Sequence, residues 1–174
     1  MKTLVIITHP DLKKSVINRR WKEEVEKNAQ IGIRCICDLY PDGVIDVETE
    51  HKILEQYDRI VFQYPLYWYS APFMLKKYMD DVFTDGWAYG TGGDKMEGKE
   101  IGAAVSCGSA ESAFVEGGAQ CHSLAHYLGV FDGIAAFLRA KYIGYFAFYD
   151  TYNPEALLSL EDNAKKYLHW LVNK

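Results

Sequence analysis

The 174-residue chain lacks several features that would each announce a function class. Its four cysteines, Cys35, Cys37, Cys107 and Cys121, contain no CxxC pair, which removes the usual spacings of a structural zinc site. No apolar run approaches the roughly 18 residues that a membrane span needs. No charged leader and small-residue cleavage site precede the first strand-like run, so no secretory signal is expected. The expected compartment is then the cytoplasm, with the cysteines reduced. Neither G-x-G-x-x-G nor G-x-x-x-x-G-K-[ST] occurs, so the dinucleotide fingerprint and the P-loop are both absent. Basic residues are not in excess: 19 Lys and Arg stand against 24 Asp and Glu, a net charge of −5, which argues against nucleic acid as a partner. No repeat, low-complexity tract or linker is visible, and the whole of residues 1–174 reads as one domain.

What the chain does have is aromatic side chains. There are 13 Tyr, 8 Phe and 4 Trp, within an apolar fraction of 49% that can fill a core. Strand-like and helical periods alternate along the sequence. Strands are expected at 3–8, 32–40, 58–65, 100–107 and 141–149. Helices are expected at 15–29, 48–57, 72–83, mostly through 118–138 with breaks near Gly129 and Gly133, and at 154–172 with Asn153 as N-cap. Strict strand–helix alternation implies an α/β fold with a five-stranded parallel sheet, doubly wound with helices on both faces. Ligands of such sheets bind beyond the carboxyl ends of the strands at the switch point. The chemically active residues are therefore expected after strands one, three and four.

Three loops fit that expectation. After strand one, His9 is followed by Ser15, Val16, Ile17 and Asn18 at a helix start, where backbone amides and short polar side chains can hold a phosphate; equally, Ser15 can be a simple helix cap. After strand three, YPLYWYSAP at 64–72 packs four aromatics into six positions, suited to a planar heteroaromatic ligand or, alternatively, to a hydrophobic plug or dimer contact. After strand four, SCGSAESAF at 106–114 offers small residues that let backbone approach a ligand closely, or an ordinary turn. The stretch GTGGDKMEGK at 90–99 reads as a loop between a helix and a strand.

These blocks, H-P with S-x-x-N, YPLYWYSAP, and LKKYMDDVFTDGWAYGTGG at 75–93 with Gly98-Lys99, resemble the flavodoxin-like NAD(P)H:quinone oxidoreductases. Within them the chain is similar to the ancillary proteins of glutathione-regulated potassium-efflux systems and to general stress proteins, over essentially its whole length. The resemblance implies a flavin, FMN or alternatively FAD, with NAD(P)H as co-substrate and a quinone-like electrophile as acceptor. It implies a homodimer with the active site near the interface. It also leaves two other roles open: a regulatory subunit on a potassium-efflux membrane protein, peripheral to the inner face of the membrane, and a small electron carrier. Carried over by motif, His9 and Ser15, Val16, Ile17 and Asn18 hold the flavin phosphate. Leu66, Tyr67, Trp68 and Tyr69 line the ribityl chain and ring, and Ser106, Cys107, Gly108 and Ser109 meet the ring's polar edge. Tyr69, Tyr89 and Phe114 are assigned to the substrate pocket.

The sequence departs from that family in two places. Relatives often carry Thr-Thr-Gly-Gly where Ser106–Ser109 stand; Cys107 offers only a weak hydrogen-bond partner, and a Ser at 109 is acceptable only where positive φ is not needed. Larger members place a Tyr and a His where this chain has Phe114 and Gln120, so no side-chain acid or base is assigned. Other features read as structural. His122 and His126 lie one helical turn apart without a third ligand, Cys35 and Cys37 share a strand face as small apolar residues, Asp80 and Asp81 face solvent or cap a helix, and Trp170 is core.

Overall fold

Runs of β-branched and aromatic residues form five strands in a computed structural model that describes residues 1–173: β1 (Thr3–Ile7), β2 (Ile31–Cys35), β3 (Arg59–Pro65), β4 (Glu100–Ser106) and β5 (Lys141–Phe148). All neighbours pair in parallel, in the order β2-β1-β3-β4-β5. β1 and β3 are buried at every position, with no alternation, because helices cover both faces. On one face lie α1 (Ile17–Val25) and α8 (Leu160–Asn173), packed through Trp21, Tyr167 and Leu171 against Val5, Ile7 and Val61. On the other lie α3 (Val47–Leu54), α4 (Phe73–Val82), α5 (Leu124–Leu128) and α6 (Val130–Phe137), packed against Leu4, Ile6, Ile60 and Phe62. Chain direction across the sheet reverses between β1 and β3, so their carboxyl ends, and that of β4 beside them, define the switch point.

The expected elements are present, with their ends redrawn by tertiary contacts. β2 stops at Cys35 because it is an edge strand whose only partner, β1, ends at Ile7 opposite it. The chain then turns into a short helix, α2 (Ile36–Leu39), which buries Ile36. Cys35 and Cys37 therefore do not share a strand face; both are half-buried, Cys107 is buried and Cys121 is exposed. Residues 118–123 are not helical: Gly117 and Cys121 take left-handed φ of 71° and 63°, and α5 starts only where Ser123 Oγ accepts from the His126 amide. The closing helix is divided into α7 (Pro154–Leu157), capped by Asn153 as expected, and α8. Asp80 and Asp81 pair with Lys76 and Lys77 one turn earlier. Trp170 is only half-buried, against Tyr167 and Phe146, whereas Trp21 is fully enclosed.

Candidate active site

The first wall of the switch point is built from the end of β1. The Thr8 amide donates to the Gln63 carbonyl at 3.0 Å, adding one rung beyond β1. The Thr8 side chain is fully buried and its Oγ1 has no hydrogen-bond partner; Gln63 Oε1 is in the same state. Half-buried His9 follows. Its Nδ1 accepts from the Asp11 amide at 3.1 Å, and burial lowers its pKa against the opposing pull of Asp11. Ser15 Oγ accepts from the Asn18 amide at 3.1 Å, so Ser15 does cap the first turn. That turn still leaves the earliest amides of α1 free, as every α-helix does. The Asn18 side chain does not reach the cleft. Its Nδ2 donates to Ser106 Oγ at 2.9 Å and the Asn18 backbone carbonyl accepts from Gln63 Nε2 at 2.9 Å, so the residue ties α1 to β3 and β4 from inside. Ile17 is likewise buried, while Val16 is exposed.

The second wall is the aromatic loop after β3. Leu66 donates to the Ser106 carbonyl at 2.9 Å, and Tyr67 and Ser70 exchange two backbone hydrogen bonds of 2.9 Å each. The residues between them, Trp68 and Tyr69, have φ of 48° and 63°. This is the tight two-residue turn that normally takes Asn-Gly. Placing two aromatic residues there costs on the order of 1–3 kcal/mol each, strain of a kind that collects at ligand sites. The result is a Trp68 side chain 94% exposed, with Tyr67 and Tyr69 partly open beside it. Tyr69 rests on Tyr127 of α5 with ring centroids 4.8 Å apart.

The third wall is the loop after β4. Cys107 donates its amide to Phe148 at 2.8 Å and sends its thiol into the core, where burial pushes the pKa up to about 12. Only the backbone of Cys107 is therefore offered to a ligand, and the loss of a hydroxyl at this position removes nothing from the cleft. Ser109 is not left-handed, so its Cβ is accommodated. Its Oγ accepts from Gln120 Nε2 at 3.0 Å, and the Gln120 carbonyl accepts from Tyr127 Oη at 2.6 Å. Gln120 thus braces the loop and joins it to the Tyr69–Tyr127 pair. Phe114 is folded beneath the loop against Tyr149, with centroids 5.8 Å apart, and gives the cleft almost no surface. His122 and His126 stack at 4.1 Å on the outer side, with Glu116 on His122. Two residues of this region escaped the sequence reading. Thr8 is visible only as the residue after a buried strand, and Tyr152, in the loop after β5, lies against Gly108.

Trp87 and Tyr89 are not near this aromatic wall. They follow α4, whose ten residues carry the chain about 15 Å back toward the opposite end of the sheet. Trp87 stacks on His51 at 3.8 Å and donates to Glu55 at 2.9 Å; Tyr89 packs on Phe137 at 5.1 Å, at the far end of α6. The loop holds its path with Gly86, Gly90 and Gly92 at positive φ, and with Gly93 so close to Tyr89 that a Cβ would lie 1.9 Å from the Tyr89 carbonyl oxygen.

A sheet of this order, with three ligand-suited loops at its switch point, is the flavodoxin-like class. The chain belongs to that family: its flavodoxin-like-fold model matches residues 1–171. Among curated relatives, general stress protein 14 of Bacillus subtilis is 41% identical over 171 residues, covering 98% of this chain and 97% of the relative. The glutathione-regulated potassium-efflux system ancillary protein KefG of Enterobacter sp. is 32% identical over 174 residues, covering 99% and 93%. Among solved structures, general stress protein 14 of Treponema denticola in complex with FMN superposes with a TM-score of 0.93 at 35% identity, covering 98% of each chain. An NADPH-quinone reductase from P. pentosaceus gives 0.88 at 32%, covering 100% and 99%. A chain named as a thermophilic tryptophan halogenase from Streptomycin violaceusniger gives 0.92 at 39%, covering 98% of each. One fold serves several named activities, so the activity has to be argued from the site.

Proposed function

We propose that this protein is an FMN-dependent NAD(P)H:quinone oxidoreductase. The observation that carries the reading is the orphaned Thr8 hydroxyl, buried at the end of β1 below the free first-turn amides of α1, with the strained aromatic turn of Trp68 and Tyr69 on the adjoining strand end. A buried hydroxyl without a partner is uncommon unless a ligand completes it. The phosphate of FMN fits that end, and a planar ring fits the aromatic turn and the small loop at Gly108. The FMN complex of the Treponema relative and the name of the P. pentosaceus relative support the same assignment. When bound, FMN supplies the hydride chemistry between nicotinamide and quinone. The protein's own residues bind and orient: His9 and the α1 amides hold the phosphate end, Tyr67 to Tyr69 wall the ring, and Gln120 fixes Ser109. With Phe114 buried and Gln120 engaged with Ser109, neither is assigned as an acid or base. The purified protein is expected to take up FMN, become yellow, and sustain turnover of NADPH or NADH when a quinone acceptor is present. A protein that stays colourless after FMN addition overturns the assignment.

His9 gives this site a pH dependence. Burial lowers its pKa from the usual 6.5, so below about pH 6.5 the unfolded chain binds the proton first, and stability of the flavin-free protein falls as pH decreases. A phosphate beside His9 reverses that preference. FMN affinity is expected to rise between pH 7.5 and 6 in the wild type and to lose that rise in His9→Gln, as read by fluorescence titration at each pH.

The site is completed by a second copy of the chain. Tyr69 and Tyr89 sit at opposite ends of one protomer, so they share a substrate pocket only if Tyr89 comes from the partner. The groove between α4 and α6, about 680 Å³ and lined by Met79, Phe83, Tyr89, Ile134 and Phe137, supplies the apolar face for that contact. The similarity to KefG supports a second role on a potassium-efflux system. No helix among the described residues is long and apolar enough to cross a membrane.

A further inference from the structure

The loop after β5 carries a side chain that the fold does not use. Its backbone is fixed to the loop after β4: Asp150 donates to the Ser109 carbonyl at 2.9 Å and Thr151 to the Cys107 carbonyl at 3.2 Å. Asp150 takes a left-handed φ of 58°, held by Asn153, whose amide and Nδ2 donate to the Asp150 carbonyl and carboxylate at 3.0 and 2.8 Å. On this stiff mount Tyr152 is 88% exposed, and its hydroxyl has no hydrogen bond among the described residues. The ring leans over Gly108, where a Cβ would lie 3.1 Å from it. Gly108 is not left-handed, and Tyr152 is the neighbour that a side chain there would meet. Tyr152 also lies near Tyr67, whose phenol is raised mainly by burial and further by the charge of Tyr152. Two exposed rings, Tyr67 and Tyr152, thus stand together beside the backbone at Gly108, and Trp68 follows Tyr67 on the same loop. A cluster of exposed aromatics on rigid backbone marks a ligand surface.

We infer that Tyr152 is an aromatic cover on the β5 side of the cofactor cleft, whose ring lies against the bound flavin and sets how tightly it is held and how far it is open to solvent. This rests on the flavin reading above. The side chain has two torsions and no bond to break, so it closes over a ligand without moving the loop that carries it.

The test is titration of the flavin-free protein with FMN, followed by flavin fluorescence and by iodide quenching of the bound flavin. Wild type and Tyr152→Phe are expected to bind equally and to shield the flavin equally. Tyr152→Ala is expected to bind about fivefold to tenfold more weakly, the scale of one lost aromatic contact, and to let iodide reach the flavin. Its unfolding midpoint without flavin is expected to match wild type, because the ring contributes little to the folded chain. A Tyr152→Ala protein with wild-type affinity and wild-type shielding overturns the cover. So does a Tyr152→Phe protein as impaired as Tyr152→Ala, since the hydroxyl rather than the ring would then hold the ligand. A wild type that does not bind FMN at all overturns the flavin reading itself, and the cover with it.

Discussion

Thr8→Val is expected to weaken FMN binding by about tenfold to a hundredfold while leaving the flavin-free protein as stable as before, or more so. The substitution keeps shape and removes only a hydroxyl. In the folded chain that hydroxyl is buried with no partner, so its loss forfeits no hydrogen bond and relieves a desolvation cost. Once a phosphate lies at the end of β1, the same hydroxyl donates to a charged oxygen, a bond that contributes roughly 1.5–3 kcal/mol. The two effects have opposite signs, and that separates them from a general packing defect, which weakens binding and stability together. Fluorescence titration gives the affinity and urea denaturation of the flavin-free protein gives the stability. Unchanged affinity shows that the hydroxyl points away from the ligand. A stability loss above about 1 kcal/mol shows that it had a hidden structural role.

The contrast between Thr8 and Asn18 shows what the sequence could and could not deliver. The sheet was legible because β1, β3 and β4 are built on short, mostly apolar runs, and a run of that kind has few alternatives to a strand covered on both faces. The switch point followed from alternation of strands and helices, and the three site loops followed from the switch point. Within each loop, though, side-chain direction depends on rotations that a motif does not encode. Asn18 lies one residue before the outward-facing Arg19, and is held inside by Ser106 and Gln63, distant in sequence. Phe114 and Cys107 were drawn into the core in the same way. The end of β2 was set by the length of β1. Glu50, a fully buried carboxylate that accepts from Tyr40 at 2.6 Å and Tyr78 at 3.0 Å and pairs with Arg34, collects three residues from three separate parts of the chain, and no local pattern announces it. Tyr152 is a single residue in a turn, recognisable only once its neighbour Gly108 is seen.

The position of Tyr89 leads to the other large effect, at Gly133. This glycine is exposed on α6, beside the groove that Tyr89 and Phe137 line, and nothing lies within 4 Å of where its Cβ would be. A side chain there has room in the isolated protomer, so glycine is not demanded by the protomer's own packing; in the proposed dimer, a second copy packed on this helix would demand it. Around it Val130 and Phe137 are 57% and 65% exposed, an apolar surface on a helix that in a monomer would face water. Gly133→Arg places a charge and a long side chain in that contact. It is expected to convert the dimer to a monomer by light scattering, to leave FMN affinity within about threefold, and to cut quinone-dependent NADPH oxidation by roughly a hundredfold or more, because the substrate loses one wall of its pocket. A monomer that keeps its rate shows that Tyr89 is not shared. Mixing then decides the point directly. Tyr69→Ala and Tyr89→Ala are each expected to be nearly inactive as homodimers. If each pocket takes Tyr69 from one protomer and Tyr89 from the other, a mixed dimer has one pocket missing both and one pocket with both intact. Equal mixing with free exchange should restore about a quarter of the wild-type rate, since about half of the dimers are mixed and each carries one good pocket of two. If both tyrosines acted within the same chain, every pocket in the mixture would remain damaged and no rate would return.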